Sequence, residues 1–532
     1  LNSESREDVT RSLWQGDGLN TELGADVRWN INQDVFFNAT INPDFSQVEA
    51  DGAQLSLNQQ FSLFFPELRT FFVEGAESFN TPNRLVYTRN IATPDFGAKL
   101  TGRSDAHTYG VIVANDTETG FLLPGNQGSS FEQLDDTDSQ VLIGRWQTDV
   151  GERDAFGALI THRQADGYSN TVAAVDTRVW FSDRDFLTAQ WISTEAETPD
   201  DSGTIVQSGD AFSLNYEYEE ADYSWFLRHR DFAEDFRADL GFIPRVGYYK
   251  SDIGGRLRWF LDDGGFFNFM QLRADYDVTY TQDGRQLEEE LEAWFRVRGK
   301  SQLSAFVGLG RRRRLVETDF SLEFAPTGTD TSAPDYIAQF DDFQLSEYFY
   351  ETFLITGFEV QPNAEFQFGL RGRFSDQIDV YNVQLGTVQE FRPEIQWRVN
   401  ENMVVNLNYI DNTLNVDGGE LFHAKIADLR LSYQFDLRHR LRAAVVYNNI
   451  TRTPELYNER YRNIPNIDDY IVDSFDQQDR SLGLQFIYSY LLNPRTLAFV
   501  GYSSSAFQND SLSGLKQEER SFFAKFSYAF QI

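Results

Sequence analysis

The stretch MQLRADYDVTY, residues 270–280, decides how the chain is read. Met270, Leu272, Ala274, Tyr276, Val278 and Tyr280 fall on one parity, and Gln271, Arg273, Asp275, Asp277 and Thr279 on the other. Successive side chains of a β-strand point to opposite faces, so this is a strand with one apolar and one charged face. It is longer than the roughly five or six residues usual in soluble sheets and matches the roughly 9–11 that cross a bilayer at a tilt.

The pattern recurs along the chain. Phe366, Phe368 and Leu370 alternate with Glu365, Gln367, Arg371 and Arg373, and Met403, Val405, Leu407 and Tyr409 with Asn402, Asn406 and Asn408. Ala427, Leu429, Leu431, Tyr433 and Phe435 alternate with Asp428, Arg430, Ser432 and Gln434. The chain ends on SFFAKFSYAFQI, residues 521–532, with Phe522, Ala524, Phe526, Tyr528, Phe530 and Ile532 on one face. An aromatic strand left at a sheet edge invites aggregation, so the last strand is expected to close against the first. Its terminal position also suits the machinery that inserts outer-membrane proteins.

Soluble antiparallel sandwiches alternate too. Here, however, short and long connections take turns along the sequence. Short ones fall near 103–105, 149–152, 183–185, 220–221, 261–265, 299–300, 361–363, 400–401, 436–437 and 492–494. Long polar stretches fall near 116–137, 165–173, 196–208, 233–246, 313–343, 375–387, 412–422, 451–478 and 508–517. Tight periplasmic turns alternating with long outer loops are a barrel's rhythm. The fold class read here is all-β: a transmembrane antiparallel β-barrel of about 24 strands, an even number between roughly 22 and 26. Its expected place is the outer membrane of a Gram-negative bacterium.

Composition agrees. Aromatic residues make up 15% of the chain, Cys is absent and no apolar run approaches the roughly 20 residues of a membrane helix. The net charge of −36 repels a phosphate backbone, so nucleic acid is excluded as a partner. Zero Cys removes thiol chemistry and fits an oxidising compartment.

Residues 1–21 read as an N-terminal extension and 22–532 as the barrel. Within it, 43–83 alternates poorly and is too apolar for an ordinary loop. A barrel of this size has a wide lumen, and such barrels are usually plugged. The segment is therefore expected to fold inward as a lumen-filling plug built on Phe61, Phe64, Phe65, Glu67, Arg69, Phe71 and Phe72. The alternative is an ordinary pair of strands with a bulge at Pro66.

Four motifs stand in this region: Asn42-Pro43-Asp44-Phe45-Ser46-Gln47-Val48-Glu49-Ala50-Asp51, Phe64-Phe65-Pro66-Glu67-Leu68-Arg69, Phe71-Phe72-Val73-Glu74-Gly75 and Tyr87-Thr88-Arg89. Together they resemble an uncharacterised outer-membrane β-barrel family. Its members often carry a carbohydrate-binding domain, similar to family 9, ahead of the barrel. The resemblance implies a barrel and offers no established catalytic residues to carry over, and that extra domain does not stand in these 532 residues.

His107, His162, His229, His423 and His439 are scattered, and no nucleophile elbow, phosphate loop or zinc motif appears. No catalytic or cofactor-binding residue is assigned and the chain is not read as an enzyme; a hydrolase assembled from distant strands is the least favoured reading. Asp44, Glu49, Asp51, Glu74 and Glu77 admit two readings: Ca²⁺ ligands, or salt-bridge partners for Arg69, Arg84 and Arg89. Arg311, Arg312, Arg313 and Arg314 stand at the expected outer rim, where guanidinium groups suit lipopolysaccharide phosphates; the other reading is a solvated loop start facing Glu317 and Asp319. The expected lumen wall carries both signs, in Arg273, Asp275, Arg371, Arg373, Asp428 and Arg430.

The expected function is a porin-like channel or transport protein for a small polar solute such as a saccharide or peptide. Tyr457, Tyr461 and Tyr470 near the mouth are candidates for stacking on sugar rings. The second reading is a plugged barrel that anchors or joins an envelope complex. Expected partners are outer-membrane lipid, lipopolysaccharide and envelope proteins.

Overall fold

The computed structural model describes residues 24–43, 51–134, 137–200, 203–261, 264–326, 338–493 and 496–527. Twenty-four strands form one antiparallel sheet, one of them the two-residue strand Tyr470–Ile471. Strands that follow one another pair with one another, as in the ladders Val150↔Asp154 to Gln140↔Gln164 and Arg298↔Ser304 to Glu288↔Arg314. No helix among the described residues is long and apolar enough to cross a membrane. This is the strand architecture of a transmembrane β-barrel. Closure of the last strand onto the first rests in part on residues 528–532 and lies outside the described residues.

The chain divides into two compact units. One holds Leu1–Val48, Gln60–Arg256 and Asp275–Leu287; the other holds Glu49–Gln59, Leu257–Ala274 and Glu288–Ile532.

In the first unit the strands place charge inside and aromatic surface outside. Along Asp154–Ala165, Leu159, Thr161 and Arg163 are buried while Phe156 and Ile160 are 44% and 46% exposed. Lys99 and Arg145 are buried, whereas Trp146, Trp191 and Trp225 are exposed. Burying apolar surface is worth roughly 25 cal/mol per Å², so a soluble protein would arrange these faces the other way round. Lipid as the outer solvent makes this arrangement the favourable one. The buried charges are compensated: Arg145 grips Asp176 through two bonds, Nη2 to Oδ1 at 2.9 Å.

Connections on the long side of this unit turn inward. The hairpin Thr119–Pro124 with Ser129–Leu134 packs Phe121 against Tyr168, ring centroids 5.3 Å apart. The 233–247 connection buries Phe236 and Leu240. Its backbone rests on Gly209, where an added Cβ would lie 2.5 Å from the Phe236 nitrogen, so that strand position excludes any side chain.

In the second unit the two longest strands, Ser304–Phe324 and Phe340–Val360, pair from Ser304↔Glu359 to Glu323↔Phe340. Each has 21 residues, about twice what a bilayer crossing needs. The surplus projects past the membrane and carries a rim of its own. There the 453–477 connection forms a small core, with Tyr457 stacked on Phe475 at 4.3 Å and Arg460 over Phe320 at 3.9 Å.

The short connections fall where expected, at 105–106, 151–153, 181–184, 220–222, 361–365 and 401–402 among others. Several expected long ones are corrected. Residues 165–173, 196–208, 375–387 and 412–422 are mostly strand, joined by tight turns such as Asp166–Gly167 and Asp417–Gly418. Beyond the bilayer neither face of a strand needs to be apolar, so the alternation fades before the strand ends.

Candidate functional site

Residues 60–93 lie against inward-facing side chains of the first unit, and residues 51–59 against those of the second. In the first unit the FFPELR motif closes a local knot. Arg69 donates to Glu67 through Nε at 2.9 Å and Nη2 at 2.7 Å, and the Glu67 carboxylate also accepts from the Leu68 and Arg69 amides and the Thr88 hydroxyl. The same guanidinium donates to the carbonyls of Ile91 and Thr88 at 2.7 Å each. Burial pushes the Glu67 carboxyl up, but Arg69 and these donors outweigh it and hold the group below the usual carboxylate range. A motif of six residues thus ties the start of the segment to its end.

Around the knot sits an aromatic cage. Phe64, Tyr87 and Phe242 lie 5.2–5.4 Å apart, Arg84 covers Phe64 at 3.9 Å, and the Tyr87 hydroxyl donates to the Phe65 carbonyl at 2.8 Å. Phe71 and Phe72 meet edge to face at 4.9 Å. Phe71 fills the space above Gly97, where a Cβ would stand 3.1 Å from its ring. Phe61 packs under Arg245, and Phe65 under Arg89.

Three inward wall residues hold this portion. Lys99, 1% exposed, donates to the carbonyls of Phe71 and Glu74. Gln190 accepts from the Asn83 amide at 2.9 Å and its side chain at 2.8 Å. Arg163, fully buried, donates to the carbonyls of Asn90 and Gly120 and pairs with Asp116 at 3.3 Å. Asp116 in turn accepts from the amides of Ala92 and Thr93 at 3.0 and 2.7 Å.

The 233–247 connection completes the clamp. Asn90 donates to the carbonyls of Asp239 and Gly241 at 2.7 and 2.9 Å. Asp239 accepts from Arg237 at 2.9 Å, and its second oxygen, Oδ2, is buried with no hydrogen-bond partner among the described residues. Complete burial pushes the Asp239 carboxyl up to about 7, and attraction to Arg163 offsets only part of that.

In the second unit residues 51–59 are held more lightly. Arg430 donates to the Asp51 carbonyl at 2.8 Å, and Asp428 accepts from the Ala53 amide at 3.2 Å. Asn58 exchanges two bonds with the chain at Ile378 and Val380, 2.8 and 2.9 Å. Leu55 and Leu57 pack beside Val388, Leu414 and Leu421.

The other sequence candidates are placed as follows. Arg273 lies 3.7 Å from Glu292, Asp275 is half-buried, Arg371 is exposed and Arg373 donates to Ser375 at 2.9 Å. Asp428 and Arg430 pair at 3.0 Å. The four-arginine run is strand rather than loop, so its members alternate. Arg312 and Arg314 turn inward onto the buried Glu351, at 2.9 and 3.4 Å, while Arg311 and Arg313 turn outward over Tyr350 and Tyr348. Asp44 and Glu49 lie outside the described residues. Asp51 is half-buried, Glu74 pairs with Arg28 at 2.8 Å and Glu77 is exposed; no three His, Asp or Glu side chains converge among the described residues.

Tyr457 and Tyr461 are corrected as sugar-stacking candidates. Both are buried in the rim core, and Tyr470 is bonded to Asp341 at 2.6 Å. Lys99, Arg163, Asp116 and Asp239 were not singled out by the sequence. Inward parity on a strand flags the first two, but the carbonyls they reach come from segments distant in the chain.

The chain matches a family model described as a domain of unknown function, DUF5916, over residues 10–119, which contain all four quoted motifs. None of the curated proteins matches. Among solved structures, the chain is similar to the ferric-catecholate import receptor Fiu of E. coli K12, at 7% identity and TM-score 0.41, covering 81% of this chain and 71% of that one. It is also similar to the siderophore receptor PirA of Pseudomonas aeruginosa, at 10% identity and TM-score 0.46, covering 82% and 76%. A third is OmpT of Vibrio cholerae, at 11% identity and TM-score 0.30, covering 77% and 100%. The fold reading rests on the chain's own ladders and burial, not on these likenesses.

Proposed function

We propose that the chain is an outer-membrane pore of a Gram-negative bacterium that admits a small polar solute, such as a saccharide or peptide, and that residues 51–93 obstruct it. One observation carries this reading: the inward segment is fastened mainly by hydrogen bonds and ion pairs to charged wall residues. Such bonds contribute only about 0.5–1.5 kcal/mol each when water can replace the partner, and up to about 3 kcal/mol when charged. Residues 51–59, held by Arg430, Asp428, Asn58 and two leucines, exchange those bonds for water without exposing a large apolar core, while the aromatic cage keeps 61–93 in place. A wall of both signs also suits a hydrated solute.

A second reading, a permanently filled barrel serving as an envelope anchor, is favoured by the fully buried charges at Arg163 and Asp239. Liposome swelling separates the two. With Asp428→Asn and Arg430→Gln combined, the pore reading expects entry of mono- and disaccharides faster than in the unaltered protein. An anchor shows no swelling in either form and co-purifies with a stoichiometric envelope protein.

A further inference from the structure

The outward face of the second unit carries a feature the pore reading does not use. A groove of about 440 Å³ lies among Phe295, Val307, Phe358, Leu370, Phe374 and Phe391. Phe295, Phe358, Phe374 and Phe391 are exposed, which places the groove on the lipid side of the wall. Gly372 and Ala305 form part of its lining, so it owes its depth to small residues between rings.

Charge stands directly above it. Along Ser304–Phe324 the outward positions run Val307, Leu309, Arg311, Arg313, so the first guanidinium is one outward step past Leu309 and two, about 14 Å, past the groove residue Val307. That step is toward the long-connection end, the outer side in this architecture. Arg311 lies over Tyr350 at 4.9 Å and Arg313 over Tyr348 at 4.2 Å, cation–π contacts that hold both guanidinium groups at this level. The cross-strand neighbours of Arg311 are Leu291 and Thr352, and the Asp376 carboxylate, one strand further, accepts from the Thr352 hydroxyl at 2.6 Å; those of Arg313 are Glu289 and Tyr350. Tyrosines at this level mark the membrane–water boundary.

We propose that this face binds a phosphorylated, acylated glycolipid of the outer leaflet, of the lipid A type. Its phosphates lie on Arg311 and Arg313 and one acyl chain occupies the groove below. Guanidinium groups bind phosphate through paired N–H donors, and the desolvated groove adds apolar burial that a free phosphate lacks. Arg312 and Arg314, committed to Glu351, take no part. The site stands independently of whether the barrel conducts.

The test is retention of lipid A by the full chain in phosphatidylcholine nanodiscs, read by native mass spectrometry. Bis-phosphorylated lipid A, dephosphorylated lipid A and phosphatidylglycerol are compared. The unaltered protein should retain the bis-phosphorylated form in preference to the other two. Combined Arg311→Gln and Arg313→Gln should weaken retention about tenfold or more. Gly372→Leu fills the groove and is tolerated by the backbone, since a Cβ there meets only the Phe374 ring at 3.4 Å and no backbone atom closer than 3.9 Å. It should weaken lipid A while leaving binding of the deacylated bis-phosphorylated disaccharide unchanged. Equal retention of all three lipids, or unchanged retention in both variants with the fold intact, overturns the proposal.

Discussion

Residues 61–93 and residues 51–59 belong to one inward segment, yet they are held by different physics. The longer portion is clamped in the first unit by Lys99 and Arg163, both drawn out of water, by the half-buried Glu67–Arg69 knot and by an aromatic cage. The shorter portion is held in the second unit by a few hydrogen bonds at Asp428, Arg430 and Asn58 and by two leucines. Arg163 is wholly buried and costly to strand and the aromatic cage adds apolar burial, whereas of the anchors of 51–59 only Asp428 is buried and the bonds of the half-buried Arg430 and Asn58 are more readily replaced by water. The difference predicts that 51–59 releases first and that 61–93 stays.

The largest expected effect comes from breaking the strong side. Arg163→Met leaves Asp116 buried without its ion-pair partner and Asp239 with Arg237 alone, and should cost about 3–5 kcal/mol, measured by denaturant unfolding in detergent. If the loss is within experimental error of zero, the clamp is not where the stability lies.

A pH titration sharpens the same contrast. Because the folded pKa of Asp239 is raised to about 7, the closed clamp binds a proton more tightly than an opened, hydrated one. Its stability should therefore rise as pH falls from about 8 through 7 and level off near the ordinary carboxylate value, about 4. The protection factors of residues 83–92, exchange corrected for its intrinsic pH dependence, should rise over that window, and Asp239→Asn should flatten the response. Protection factors at 51–59 should show no such dependence.

On the weak side, Asp428→Asn with Arg430→Gln should cost about 1–2 kcal/mol and raise exchange at 51–59 while leaving 61–93 protected. Uniform acceleration along both portions would mean that they open as one body. The smallest effect is expected at Glu74→Gln, which removes an exposed pair with Arg28 and should shift stability by no more than about 0.5 kcal/mol.

Much of this molecule is legible in its sequence because a bilayer enforces period 2. Leu272 and Tyr276 face out and Asp277 and Thr279 face in, as the alternation of 270–280 requires. The tight turns are legible for the same reason: alternation stops at Asp105, Gly151 and the 181–184 turn. Where strands leave the membrane the constraint lapses. Ala196-Glu197-Thr198 reads as loop and is strand. The four arginines likewise read as a rim cluster until strand geometry splits them two and two.

The site is less legible than the wall. The FFPELR residues do come together, because their bonds are local in sequence. Lys99, Arg163 and Asp239 act through carbonyls on other segments, and no spacing in one sequence announces such a meeting. The rim tyrosines failed as binding candidates because an outer connection this long builds its own core.

Single-channel recording in planar bilayers tests the central claim most directly, comparing the intact chain with one lacking residues 51–80, each shown to be folded by heat-modifiable migration. The account predicts a silent intact chain and a conducting deletion. A folded deletion that remains silent, or an intact chain that conducts as freely as the deletion, would contradict it.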